Sequence, residues 1–516
     1  MESQRLNPTI WDKISRNSLS NLTGTVVALA VGFFLMPFVV HHIGLTAFGI
    51  WMLVTGLVGY MGVLDMGLAP TLVKKSAEHL AKEDKQGLNQ TVSTIFTLYL
   101  LSGVLVGTVI FGLSFVLPHV FNIPLEDINI FKTVLWIVGL QVAFNFPMSI
   151  WRGLMSGLQD FHIINSIAII ANLFKAVATV LLLMSGFGLI SLIWLGFGLA
   201  AIGWLAGMFW VRRRIPYLQI KVSWFEWAKV KDLARFSGVM FIWGIAGRVL
   251  HHSDRIIIGL FLPIASITIY EVGLRICEYS RQLLSSVLST VMPAASELNA
   301  KNDKMRLQKL YLKGTKYLLV AYTAVVVALL LFGKEFIHLW MGEGFEQSVW
   351  IMYALIIGSL YQTQNLMAHA MLAGMEKLRV FTRVMIAYPI VNIILSIIFV
   401  IHWGLIGVAL ATTLTYLLVE TYFILYITKI FGTRLLSLVK MCHLPTAISV
   451  VPAAIVSYYL RAILDVNSWA GLSVGVFSFL AVYSLSFWTL GISRVERVAL
   501  KIRTFEMLNQ FKVRMR

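Results

Sequence analysis

A chain of 516 residues with 58% hydrophobic and 13% charged residues is not an ordinary soluble domain, because apolar runs of 20 or more recur from end to end and about 20 such residues cross a bilayer. A formal charge of +18 would suit nucleic acid in a soluble protein, but here the basic residues gather between apolar runs, which excludes that partner. The only cysteines, Cys277 and Cys442, both fall in apolar segments, so neither a disulfide framework nor a thiolate metal site is implied.

Fourteen spanning helices are predicted. Asn7–Arg16 reads as a short amphipathic helix at the cytoplasmic face. Leu19–Ile43 follows, too long for a cleavable signal and lacking a small-residue cleavage site. Phe48–Leu72 holds Asp65 in its cytoplasmic half, within Leu64-Asp65-Met66-Gly67-Leu68; an isolated buried carboxylate either meets a cation or takes up a proton. Thr91–Leu117 and Phe131–Trp151 come next, the latter with a kink expected at Asn145 and Pro147. His162–Met184 carries Lys175, a partner for Asp65 or a second cavity cation, and Leu189–Val211 closes the first six.

The basic segment Arg212–Arg235 reads as a linker, and the two spans after it are heavily charged. Val239–Leu262 holds Arg248, His251, His252, Asp254 and Arg255; Ser266–Met292 holds Glu271, Arg275, Glu278 and Arg281. The remaining spans are Thr315–Leu339, Val349–Ala373 with His369, Val384–His402 with a second kink at Pro389 and Asn392, Leu405–Ile427 with Glu420, Met441–Leu464 and Trp469–Ile492. In the tail, Arg494 to Arg516, the residues Val495, Val498, Ile502 and Phe505 form one apolar stripe among cations, the pattern of an amphipathic helix on an anionic leaflet.

With the N-terminus inside, cytoplasmic segments hold 33 Lys and Arg and the outer connections only two, Lys334 and Arg461. The positive-inside rule then puts both termini in the cytoplasm. The chain also repeats itself at an offset of about 219 residues. Arg16-Asn17-Ser18 matches Arg235-Phe236-Ser237, Ala47 to Trp51 matches Ser266 to Tyr270, and Ala77-Glu78 matches Ser296-Glu297. Later the offset slips slightly, with Met155-Ser156-Gly157 matching Leu372-Ala373-Gly374 and Gly188-Leu189-Ile190 matching Gly404-Leu405-Ile406. Six spans returning with the same topology make parallel repeats about an axis along the membrane normal. The expected organisation is an N-lobe at 1–211, a linker at 212–235, a C-lobe at 236–429, two extra spans at 430–492 and a basic tail at 493–516.

On a helix, Arg248, His251, His252 and Arg255 share one face, and Glu271, Arg275 and Glu278 share another. Each charge costs roughly 2.5 to 3.5 kcal/mol at a span centre, so this many imply a protein-lined or watery interior. One reading is structural: Arg248–Glu278 and Asp254–Arg275 pairs that join two helices. The other makes Arg248, His252, Arg255, Arg275, Glu278 and Arg281 ligands of an anionic group, with Asp65, Asp254, Glu271 and Lys175 tuning the charge or coupling ions. Arginine suits phosphate through its planar, bidentate fork. The adjacent pairs His41-His42 and His251-His252 point about 100° apart on a helix and do not suit a shared metal, so no metal site is expected.

There is no Walker loop, metalloprotease helix, zinc cluster or GxSxG, and the longest outer loop, Gly333–Ser348, leaves no room for a catalytic domain. The reading is a transporter rather than an enzyme, with no cofactor, driven by an ion gradient (proton or sodium) or by the gradient of the substrate itself.

The chain resembles the polysaccharide flippase (O-antigen transporter) family of the multidrug/oligosaccharidyl-lipid/polysaccharide exporter superfamily. The resemblance is carried by Arg16-Asn17, Pro37, Gly44, Phe48-Gly49-Ile50-Trp51, Leu64 to Leu68, Arg152-Gly153, Gly157-Leu158-Gln159, and Asp254 to Gly259 before Tyr270. It implies an all-α polytopic fold with two six-helix lobes related by a pseudo-two-fold around a central cavity. It also implies that Asp65 and Asp254 are family positions. The implied substrate is an undecaprenyl-diphosphate-linked oligosaccharide moved across the bacterial inner membrane by alternating access, for O-antigen, exopolysaccharide or capsule synthesis. Membrane lipids and the polymerase and glycosyltransferases of the same pathway are the implied partners. Lipid II flippases of the superfamily carry arginines in their first two spans, and Leu19–Ile43 and Phe48–Leu72 contain none, which argues against a peptidoglycan precursor. A cation-coupled drug exporter is the other alternative, disfavoured by the basic stripes.

Overall fold

The computed structural model describes residues 10–65, 67–227, 229–230, 247–249, 252–288, 291–375, 378–494 and 496–498. His251, the first part of the seventh predicted span, the Arg235-Phe236-Ser237 motif and most of the basic tail lie outside these. Among the described residues the chain is helical throughout, with no strand. Nine helices there are long and apolar enough to cross a membrane. Two of them, α1 (Ile10–Met61) and α12 (Leu378–Ile430), each join two predicted spans at a glycine with positive φ, Gly44 at 83° and Gly404 at 59°. Only glycine takes that backbone cheaply, so each turn is made without a loop. The chain divides into two compact units, Met1–Ile269 and Tyr270–Arg516.

In the first unit the structure breaks the second predicted span. Helix α1 ends at Met61, Gly62–Asp65 is a 3-10 turn, and α2 (Leu68–Ala81) starts after Gly67, whose φ is 72°. The expected straight run to Leu72 ignored this pair of glycines, and Asp65 sits in the break rather than within a helix. Helix α2 occupies the first part of the basic segment predicted to be cytoplasmic, with Lys75 paired to Glu78 at 3.1 Å. Asp84 then caps α3 (Lys85–Val120) by accepting the Gly87 N–H at 2.8 Å. Helices α4 (Ile128–Gly157), α5 (Phe161–Met184) and α6 (Leu189–Arg214) complete the set. Helix α3 packs on α4 where Gly103 admits the backbone of Ala143 and Gly139 admits Ile110. Small residues allow this approach between helices that gain little from hydrophobic burial in lipid.

Residues 247–249 and 252–261 are helical, and the latter stretch is α7. Its end is held by Asn122, whose side-chain amide donates to the Leu260 carbonyl at 3.4 Å. After Pro263, α8 (Ala265–Leu288) begins, and Thr268 donates to the Leu45 carbonyl at 2.6 Å.

The second unit holds the rest of α8, α9 (Val291–Ala300), α10 (Lys304–Met341), α11 (Glu346–Gly374) and α12. The final spans are α13 (Leu435–Leu438), running through a π turn into α14 (Leu444–Ile463), and α15 (Trp469–Ser486). They seat on α10 through a core of Val320, Ala324, Phe332, Ala453, Leu472, Phe479 and Tyr483.

Candidate functional site

Gly56 and Gly59 of α1 and Gly62, which opens the 3-10 turn after it, recur every third residue and expose one strip of bare backbone. Arg248, His252 and Arg255 lie along that strip. A Cβ at Gly56 would stand 3.3 Å from Arg255 Cδ, one at Gly59 2.5 Å from His252 Nε2, and one at Gly62 2.6 Å from Arg248 Nε. Three of the four residues predicted to share a basic face, Arg248, His252 and Arg255, are thus seated on glycines that make room for them, and the fourth, His251, lies outside the described residues. Tyr60 donates to the Val249 carbonyl at 3.4 Å, and its ring lies 5.9 Å from that of His252. Arg255 Nη1 donates to His252 Nδ1 at 3.2 Å, since a guanidinium has no acceptor. Asp254 and Arg255 are both buried.

Beside the strip lies a cavity of about 640 Å³, lined by Arg248, Lys175 and Asp65 together with the amides of Gln141 and Asn145 and the hydroxyl of Ser149. The 3-10 turn carries Asp65 there, and Tyr99, fully buried on α3, donates to Asp65 Oδ1 at 2.6 Å. The carboxylate is therefore partly satisfied from outside the cavity. Among the described residues neither Lys175 nor Arg248 has an ion pair. Two cations, amides and hydroxyls against apolar walls such as Trp51 and Val138 make a chamber suited to an anionic, hydroxyl-rich group.

Asp65, Lys175 and Arg248, far apart in sequence, are brought together. His252 and Arg255 flank them along α1. In the second unit, Arg275 bridges two carboxylates of its own helix, with Nε 3.4 Å from Glu271 Oε2 and Nη1 3.3 Å from Glu278 Oε2. Arg281 donates to Gln362 Oε1 of α11 at 2.8 Å. Glu420 is fully buried and accepts from Asn365 and from the Tyr388 hydroxyl, with His369 Nε2 at 4.0 Å. His41 and His42 bond the carbonyls of Pro37 and Phe38, each at 2.7 Å, as ordinary helix-end histidines.

Sequence reasoning missed the glycine strip, although its three-residue spacing was there to be read. It also missed Tyr99, which in an apolar span looks like any core aromatic, and it took Asn145 only for a kink residue.

Fold and cavity define a class: a multi-pass, all-α membrane protein with a charged chamber inside one unit. The chain belongs to the polysaccharide biosynthesis protein family, whose profile matches residues 43–350. It is 20% identical to the probable low-salt glycan biosynthesis flippase of Haloferax volcanii over 51% of this chain and 53% of that protein, about half the length of each. It is 20% identical to a putative O-antigen transporter of Shigella flexneri over 78% of this chain and 95% of that one. An uncharacterized membrane protein of Bacillus subtilis is 21% identical over 89% of this chain and 92% of its own length. The fold is shared with the lipid II flippase MurJ in an inward closed conformation, at a TM-score of 0.72 and 16% identity, over 92% of this chain and 98% of that one. It is shared too with an inward-facing multidrug resistance transporter of the MATE family, at a TM-score of 0.68 and 14% identity, over 80% and 98% of the two chains.

Proposed function

We propose that the protein is a flippase for a lipid-linked oligosaccharide, moving the glycan head group across the cytoplasmic membrane while the lipid tail stays in the bilayer. The observation that carries this reading is the chamber holding Lys175 and Arg248 beside Asp65. The names of the Haloferax and Shigella relatives support it. The two cations are assigned to the anionic linkage of the substrate, for which undecaprenyl diphosphate is the proposed carrier. Asp65 is assigned to coupling, by protonation or by sodium binding, as the head group leaves. Both termini are placed in the cytoplasm on the basic-residue bias, with the lobes at 1–211 and 236–429 rocking to alternate access. An exporter of cationic drugs would need an acidic chamber, and this one is cationic. Deleting the gene should leave lipid-linked repeat units on the inner leaflet and deplete surface glycan. Unchanged leaflet distribution and unchanged surface glycan would sink the reading.

A further inference from the structure

A second chamber lies in the other unit, far along the chain from the charged stripes. It has a volume of about 550 Å³ and is built by the C-terminal end of α10, the start of α11 and the α14–α15 connection. Its walls hold Glu335, His338, Trp350, Tyr353 and Asn467, with Lys334 at the rim. Trp350 is 61% exposed, and Tyr353 meets it edge-on at 5.8 Å, so the indole presents an open face. Glu335 is only 8% exposed. One of its oxygens takes Arg461, which also donates to the Leu331 carbonyl at 2.7 Å, while Oε2 has no hydrogen-bond partner among the described residues.

A buried carboxylate oxygen without a donor is costly. Oε2 is closed to solvent as the side chain stands, so a ligand hydroxyl in the chamber satisfies it once the Glu335 carboxylate turns toward the cavity. Beside it stand an aromatic platform, a carboxamide and an imidazole. A pyranose offers complementary chemistry: one face of C–H bonds that packs on the electron-rich face of an indole, and vicinal hydroxyls that both donate and accept. An interfacial belt explains an exposed tryptophan by itself. It does not explain a tryptophan beside a recessed, half-satisfied carboxylate and an asparagine supplied by a different pair of spans. The site also gives the last two spans a use, since Asn467 comes from the turn between them.

We infer that this chamber is a saccharide-binding site, taking an uncharged pyranose with the Trp350 indole as the platform, Tyr353 as the wall at right angles to it, and Glu335 and Asn467 as hydroxyl partners. Lys334 and Arg461 are the two cations assigned to the outer face, so the site lies where a flipped glycan would emerge. This part of the inference rests on the flippase reading. The site would hold the sugar after the head group has crossed and delay its return.

The test is saturation-transfer NMR on the purified full-length protein in detergent micelles, with chitotriose and maltotriose as free probes. Saturation should pass to ring protons of at least one sugar, and Trp350→Ala and Asn467→Ala should each weaken binding at least tenfold, with Trp350→Phe keeping most of it. Trp350 is largely exposed, so its loss does not threaten the fold. No transfer to either sugar, or transfer unchanged in Trp350→Ala, overturns the site. Binding is measured without lipid, so a protein that flips but binds neither sugar defeats only this inference. One that binds but does not flip defeats the function and leaves the site standing.

Discussion

The Tyr99 hydroxyl donates to Asp65 Oδ1 at 2.6 Å, tying α3 to the turn that interrupts the chain between α1 and α2. Three residues further along α3, Ser102 donates to the Leu64 carbonyl at 3.3 Å. Two bonds from one helix face thus fix where the carboxylate enters the chamber. Replacing Tyr99 by Phe should cost about 1 to 2 kcal/mol, the upper range for such bonds in membranes. It should also lower flipping severalfold, because Asp65 is then free to swing toward Lys175. Asp65→Asn should abolish coupled flipping with little change in melting temperature, since an amide oxygen still accepts from Tyr99. Thermal unfolding in detergent and a leaflet-protection assay read the two effects. Wild-type flipping in both variants would remove Asp65 from the mechanism.

Much of the fold was legible because the repeat extends to single residues. Glu83 and Asn302 both hold left-handed backbone, with φ of 55° and 52°, and each precedes an aspartate that caps the next helix. Gly157 and Gly374 each stand against the helix that opens the basic segment or its approach, at Ser76 and at Met292. Hydropathy reads such elements well. It reads a broken helix badly, because Gly62 to Leu72 stays apolar enough to look continuous, and so Asp65 was expected within a helix. The chamber was less legible. Its cations were visible as costly residues in apolar spans, but nothing local in sequence tells which of them a tertiary contact unites.

The glycine strip separates function from stability. Gly62→Ala places a methyl against Arg248 Nε, the movable part of a long side chain, so the guanidinium should shift within the chamber. Flipping should fall about tenfold with stability changed by less than about 1 kcal/mol. Gly103→Ala meets the Ala143 backbone instead, which cannot rotate away, and should cost about 1 to 3 kcal/mol as an overpacked helix contact. Parallel unfolding and flipping measurements on the two variants check the contrast. Equal stability losses would mean that Arg248 is held rigidly in place.

Arg275 and Arg248 should behave oppositely when neutralised. Arg275 lies between Glu271, which is fully buried, and Glu278. Arg275→Gln therefore leaves a buried carboxylate short of its counter-charge and should destabilise by about 3 to 5 kcal/mol. The double variant Glu271→Gln with Arg275→Gln should recover much of that loss. Arg248→Gln should keep its stability and lose flipping, because its charge faces the chamber. Melting temperatures of the three proteins decide it, and a stable, inactive Arg275→Gln would make Arg275 a substrate ligand instead.

The ion pair between Lys316 and Glu496 makes the start of the C-terminal segment sensitive to pH. Glu496 lies beyond the last apolar span, and its carboxylate meets Lys316 Nζ at 2.9 Å and the Ser493 hydroxyl at 3.3 Å. Burial raises its pKa, but the Lys316 hydrogen bond and charge, aided by Ser493, outweigh this and hold it below the ordinary value. A carboxylate depressed in the folded state contributes stability above the unfolded value, about 4.3 for glutamate. That contribution disappears as pH falls through the lower folded value. Thermal unfolding should therefore show an added loss between about pH 5 and pH 3 that is missing from the double variant Lys316→Met with Glu496→Gln. At neutral pH the single and double variants should give a coupling of about 0.5 to 3 kcal/mol. A double variant with the same acid limb as wild type would show that Glu496 makes no net contribution, and that the segment is held instead by Arg497, which donates to the Thr489 and Ile492 carbonyls.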